Sequence, residues 1–156
     1  MSPPENDSGL RLQRPNLVVA DMDRALELYR DILGFRLDFM KESTPDGYDY
    51  TVFQIPSDAR VRFAVLSAND EQPRSLALTE VVGAELASVP LPRRNALVLN
   101  VKAFDEVVTA VRREGLLLHP EELLKTQDGR TGREIGFVDH DGHLVVIYTI
   151  TRAARG

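Results

Sequence analysis

Few side chains in this sequence are suited to moving a proton. Three histidines, His119, His140 and His143, stand in the second half of the chain together with Tyr148. Imidazole titrates near neutral pH and serves as general acid or base. His119 follows the apolar run LLL and precedes Pro120, so it reads first as a hydrogen-bonded loop residue and second as a proton carrier. His140 and His143 bracket the Asp141-Gly142 turn, where Asp139 and Asp141 are expected to accept from local backbone amides. Tyr48 and Tyr50 follow the turn Thr44-Pro45-Asp46-Gly47, where they could line a pocket or pack as half-buried strand residues. The stretch 128–134 (DGRTGRE) reads as a hairpin tip able to close over a ligand. Cysteine is absent, which removes thiolate nucleophiles, thiolate metal sites and disulfides.

The remaining composition narrows the class further. The chain has 156 residues, 43% hydrophobic and 28% charged, enough for one domain or two small modules sharing a core. Net charge is −5 with no basic block, an argument against nucleic-acid binding. The start, MSPPENDSG, has no apolar stretch of the signal-peptide kind, and no run reaches the roughly 20 apolar residues of a membrane span. A cytoplasmic protein with no membrane or nucleic-acid partner is the expectation.

Apolar spacing sets the elements that must position these groups. Residues 1–9 read as a disordered tail. RPNLVVA (14–20) reads as a strand. Met22, Ala25, Leu26, Tyr29, Ile32 and Leu33 recur at helical spacing, with Asp21 or Asp23 as N-cap and Gly34 as stop. FRLDFMK, TVFQI and VRFAVLSA read as three strands. The order then repeats: ALVLNV as a strand, 103–114 as an amphipathic helix ended by Gly115, and LLLH, GREIGFVD and HLVVIYTI as strands. The expected organisation is a first module at 10–68, a linker with an edge strand or short helix at 69–93, a second module at 94–151, and a tail at 152–156. The fold class is α+β: two tandem βαβββ modules whose curved mixed sheets surround a shared cavity, because each helix covers only one sheet face.

ADMDRALELYRDILGF and FVDHDGHLVVIY resemble the first helix and closing hairpin of the vicinal oxygen chelate superfamily, which includes glyoxalases, bleomycin-resistance proteins and extradiol dioxygenases. The resemblance covers most of residues 14–150. It implies a cup in which metal-dependent members hold a divalent ion on four His, Glu or Gln side chains. Transferred by motif, those positions fall on Arg14, Ala64, Ala96 and Val146; if LALTEV is instead the first module's closing strand, its inward residues are Ala77 and Thr79, with Glu80 turned the other way. A permanently cationic guanidinium and three side chains without donor atoms cannot ligate, so no metal and no other cofactor is expected.

Alternation from these positions sends Arg14, Asn16, Arg62, Asn100 and Tyr148 into the cup, with Tyr50 beside it. Arginines there favour an anionic or enolizable organic ligand; alternatively they pair with Asp38 or Glu42. The expected function is therefore metal-free binding of a small organic molecule by a homodimer. The alternatives are a metal-independent lyase, isomerase or cyclase using Tyr148, His119 or His143, and a metal-dependent glyoxalase or dioxygenase with displaced ligands.

Overall fold

A computed structural model describes residues 8–154. The expectation for 1–9 therefore lies largely outside the described residues. The chain forms two four-stranded mixed sheets. In the first, the order is β1-β4-β3-β2, built from β1 (Asn16–Val19), β2 (Arg36–Glu42), β3 (Arg60–Ser67) and β4 (Leu76–Val82). In the second it is β5-β8-β7-β6, built from β5 (Ala96–Asn100), β6 (Glu122–Lys125), β7 (Thr131–Val138) and β8 (Leu144–Arg152). In each module the first and last strands pair in parallel and the other neighbours run antiparallel.

Helix α1 (Met22–Leu26) starts where expected, with the Asp21 carboxylate accepting the Arg24 amide at 3.2 Å. It continues as a π-helical stretch over Glu27–Ile32 and stops at Gly34, whose φ of 98° suits a residue without a Cβ. Helix α3 (Phe104–Arg113) buries Phe104, Val107 and Val111. Both helices share one core with Leu66, Leu76 and Leu78 of the first sheet and Phe137, Val145 and Ile147 of the second.

Three element assignments are corrected. TVFQI forms no strand: residues 48–52 make the short helix α2 (Tyr48–Val52), which Tyr50 pins down by donating to the Ala59 carbonyl at 2.8 Å. The segment expected to link the modules supplies β4, inserted between β1 and β3, so the first module extends to Val82. Finally, LLLH makes only an isolated bridge, Leu118 to Phe137, and the edge strand β6 begins beyond it at Glu122. Pro120 has no N–H to contribute to a ladder, which separates the two pairings.

The modules are joined by the DHDGH hairpin. Asp139 is buried and accepts the Tyr29 hydroxyl at 2.6 Å and the amides of Asp141 and His143 at 2.9 and 2.8 Å. Asp141 in turn accepts the Ala20 amide at 2.9 Å, while His143 Nε2 lies 2.8 Å from the Val18 carbonyl. Burial raises the Asp141 pKa above the usual carboxylate range, although the Ala20 amide opposes the shift. The expected local role is met by Asp139 alone; Asp141 accepts instead from Ala20 and Arg24 of the first module, and the two aspartates together bridge the modules.

Candidate functional site

Strand register decides which side chains face away from the helices. Leu17 and Val19 pack towards the helical core, which turns Asn16 and Val18 to the opposite face of β1. Their partners on β4 are Ala77 and Thr79, and those residues oppose Val65 and Phe63 on β3. Phe63 in turn opposes Lys41 on β2. A cavity of about 450 Å3 lies on this face, floored by Phe63, Val65, Ala77 and Thr79 and bordered by Arg14 and Lys41. The Thr79 hydroxyl donates to Asn16 Oδ1 at 2.7 Å. Lys41 Nζ stands 6.0 Å from the Phe63 ring centroid. Arg14 donates to the Arg74 carbonyl at 3.3 Å.

Arg62 and Ala64 face the other way, a correction to the alternation drawn from the sequence. Ala64 is fully buried in the helix-side core. Arg62 donates to Glu80 at 2.6 and 3.3 Å, and Glu80 also accepts the Met22 amide at 2.6 Å. The guanidinium is therefore tied beneath the start of α1 by Glu80, rather than by Asp38 or Glu42. Its pKa is raised, first by the Glu80 hydrogen bond. With β4 recognised as the closing strand, the position first placed at Ala64 transfers to Ala77, partner of Asn16. Ala77 has no donor atom either. The set Arg14, Ala77, Ala96 and Val146 does not fit a divalent ion, and among the described residues no three His, Asp or Glu side chains converge as a ligand group.

In the second module, Leu97 and Leu99 pack towards the core, so Ala96, Val98 and Asn100 occupy the open face of β5. Val98 is 60% exposed. Leu144, Val146 and Tyr148 lie directly opposite them on β8. The His119 ring lies on this face too: a Cβ added to Gly136 would meet it at 3.5 Å, and Leu144 at 3.6 Å. Asn100 and Tyr148 also line a cavity of about 570 Å3 with Phe35 and Lys102. Tyr50 and His143 stand apart from these faces' open parts. Tyr50 is 8% exposed and packs against Val61 and Val81, while His143 belongs to the hairpin joint.

Lys41 and Phe63 escaped the sequence reading as site residues, and Glu134 entered it only as part of the 128–134 hairpin tip. Recognising LALTEVV as a strand would have exposed the first two, because its register fixes the parity of β3 and β2.

A family model described as the Glyoxalase/Bleomycin resistance protein/Dioxygenase superfamily matches residues 11–147. The chain belongs to this superfamily. Among solved structures it is similar to a glyoxalase family protein from Bacillus cereus, with TM-score 0.70, 17% identity, and 96% of this chain and 99% of that one covered. It is also similar to the trypanothione-dependent glyoxalase I of Leishmania major, at TM-score 0.63 and 17% identity, covering 90% and 86%. The fosfomycin resistance protein FosX from Mesorhizobium loti aligns at TM-score 0.53 and 18% identity, covering 90% and 92%. At these identities the likeness shows the fold alone. No curated protein matches. Among the described residues, no helix is long and apolar enough to cross a membrane.

Proposed function

We propose that this chain binds a small organic anion or enolizable acid in the first module's cup, with cationic side chains taking the place of the superfamily's metal. The observation that carries the reading is the charge state of the cavity wall. Arg14 and Lys41 border an apolar floor, and neither has a carboxylate partner among the described residues. The acids nearby are engaged: Glu42 with Arg60, and Asp49 with the Ser43 hydroxyl and Tyr50 amide. Guanidinium bonds to a carboxylate are charge-assisted and stronger than neutral ones.

The test is calorimetric titration with phenylpyruvate, an acid with an apolar ring and an enolizable carbon. Arg14→Met is expected to weaken binding by roughly 1.5–3 kcal/mol, the value of a hydrogen bond to a charged group, or about ten- to a hundredfold. Arg62→Met, on the opposite face, is expected to leave affinity unchanged. No binding by the native protein, or equal binding by Arg14→Met, would sink the reading.

A homodimer is part of this proposal. Each sheet has one face towards the helices and one largely open, and the open faces carry opposite character. One has Arg14 and Lys41; the other has Glu122 and Glu134. Phe39, Tyr48 and Val98 are exposed on or beside them, at 45%, 77% and 60%. A twofold-related copy that set each first-module face on its partner's second-module face would cover the apolar side chains and enclose the cup, with Arg14 and Lys41 left to the ligand's carboxylate. Sedimentation equilibrium at micromolar concentration should return twice the chain mass. A monomer there would count against the pairing.

A metal-independent lyase or isomerase remains the second reading, favoured by Tyr148 and His119 on the second module's open face.

A further inference from the structure

The start of α2 borders the anion cup, and the chain just past its end borders a different cavity. There Gln54 takes a left-handed φ of 57°, and the Ile55 amide returns to the Tyr50 carbonyl at 2.9 Å, reversing the chain. The cavity beside this turn measures about 280 Å3. Phe53, Ile55 and Pro56 line it from the turn, and Leu86, Ala87 and Val89 from the strap that joins the modules. Val18 and Val81 line it from the sheet. The strap is fixed on the DHDGH hairpin: Arg93 Nε donates to the Gly142 carbonyl at 3.2 Å, and a Cβ on Gly142 would meet Val89 at 2.9 Å.

The ionisable groups of this cavity supply acceptors. Asp141 and His143 line it from the hairpin and Glu85 from the strap, with no lysine or arginine among the lining residues. His143 Nε2 meets the Val18 carbonyl and must be the donor there, so Nδ1 of the neutral ring is left as an acceptor. Asp141 Oδ1 takes the Ala20 amide at 2.9 Å and Arg24 at 3.5 Å, whereas Oδ2 takes no hydrogen bond among the described residues. Glu85 forms no ion pair among them either. Burial disfavours the Asp141 charge, and a cation beside it would offset that effect.

We propose that this cavity is a second binding site, for a small primary amine with an apolar body. It is separate from the cup and selects the opposite charge. Its volume is near the lower end for small-molecule pockets, about 300 Å3, which suits one ring and a short chain. The apolar body lies against Phe53, Leu86 and Val89, large side chains that are otherwise exposed. The ammonium group brings three donors to a lining whose ionisable groups offer Asp141 Oδ2, His143 Nδ1 and Glu85. An organic anion entering here would meet two carboxylates and no lining cation, so the ligand of the cup is excluded.

The test titrates the full-length protein with 2-phenylethylamine and with its neutral isostere 2-phenylethanol, by calorimetry and by amide shifts in NMR. The amine should bind with a Kd of about 1 mM or tighter and about tenfold more tightly than the alcohol. Its shifts should centre on Gln54, Val89 and His143. Asp141→Asn keeps an acceptor for the Ala20 amide and removes the charge. It should weaken the amine about ten- to a hundredfold, the value of a hydrogen bond to a charged group, and leave the alcohol within about threefold. Ala87→Trp, on the exposed strap, fills the space without touching the joint and should abolish binding of both. Arg14→Met should leave amine affinity unchanged, which separates this site from the cup whether or not the cup binds an anion. Equal affinity for amine and alcohol, shifts centred on the cup, or native amine affinity in Asp141→Asn or Ala87→Trp overturns the inference. So does the absence of saturable amine binding.

Discussion

Asp139→Ala is expected to lose about 3 kcal/mol of stability, because a buried hydroxyl left without a partner costs about 1–3 kcal/mol and two amides lose their acceptor as well. The carboxylate is 6% exposed, and its partners come from both modules: Tyr29 from one, Asp141 and His143 from the other. Denaturant unfolding followed by circular dichroism gives the loss as a lower midpoint. An alkaline arm isolates the Tyr29 contribution. Burial first, and the Asp139 charge second, push the Tyr29 pKa well above its ordinary value. A folded-state pKa raised above the unfolded one means that the stabilisation is complete below about pH 10, the ordinary tyrosine value. It is lost as pH rises further, since unfolding then releases a proton that the native state retains. The midpoint of the native protein should fall above that pH, and Tyr29→Phe should flatten the decline. An Asp139→Ala midpoint within error of the native one would show that the joint contributes nothing.

Glu80→Ala should be comparably harmful. Glu80 is 6% exposed and holds two unlike groups, the Arg62 guanidinium and the Met22 amide at the first turn of α1. Removing it leaves a partly buried cation without its counter-charge and a helix start without one of its acceptors. Breaking a buried pair from one side typically costs about 3–5 kcal/mol. Arg62 keeps some contact with water, with its side chain 29% exposed, so the lower end is expected, about 3 kcal/mol. The double variant Arg62→Met/Glu80→Leu should recover much of the loss, because apolar replacements remove both charges together. Phenylpyruvate affinity in Arg62→Met separates this structural role from a ligand-holding one. A hundredfold drop there would mean that the guanidinium reaches the ligand after all.

Helices α1 and α3, the Asp21 cap, the Gly34 and Gly115 stops and the DHDGH turn were legible because each has a local cause in its own side chains, whereas α2 reads as a turn and a strand. The doubled modules followed from repetition of those signals. The register of β3 was not legible, and the reason is physical. Val61, Phe63 and Val65 face the cup side while Ala64 and Leu66 face the core, so both faces are apolar and alternation gives no direction. Arg62 suggests a polar face, but its charge is satisfied by Glu80 on the core side. LALTEVV hides its identity similarly: Leu76 to Val81 are all buried, which erases the period of two. Of the candidate site, Arg14 and Asn16 were placed at the cup from motif spacing, and Asn100 and Tyr148 share the open face of the second sheet. Glu134 reads only as part of the 128–134 hairpin tip, whereas it stands within β7.

The strand order of the first sheet has a consequence for the order of folding. β1 borders only β4, so the beginning of the module has no sheet partner until residues 76–82 are available. The antiparallel β3–β4 and β2–β3 pairings are closer in sequence and carry a smaller loop-closure cost, which favours their formation before the parallel β1–β4 seam. A nascent chain cut after Ser67 would leave β3 without the neighbour that covers one side and β1 without any strand beside it. Both unpaired edges would be open to foreign strands. The first sheet is thus complete only on the arrival of Val82, and a fragment ending at Ala68 should aggregate more than one ending past Gly83, which closes the sheet but still lacks the second module's half of the core.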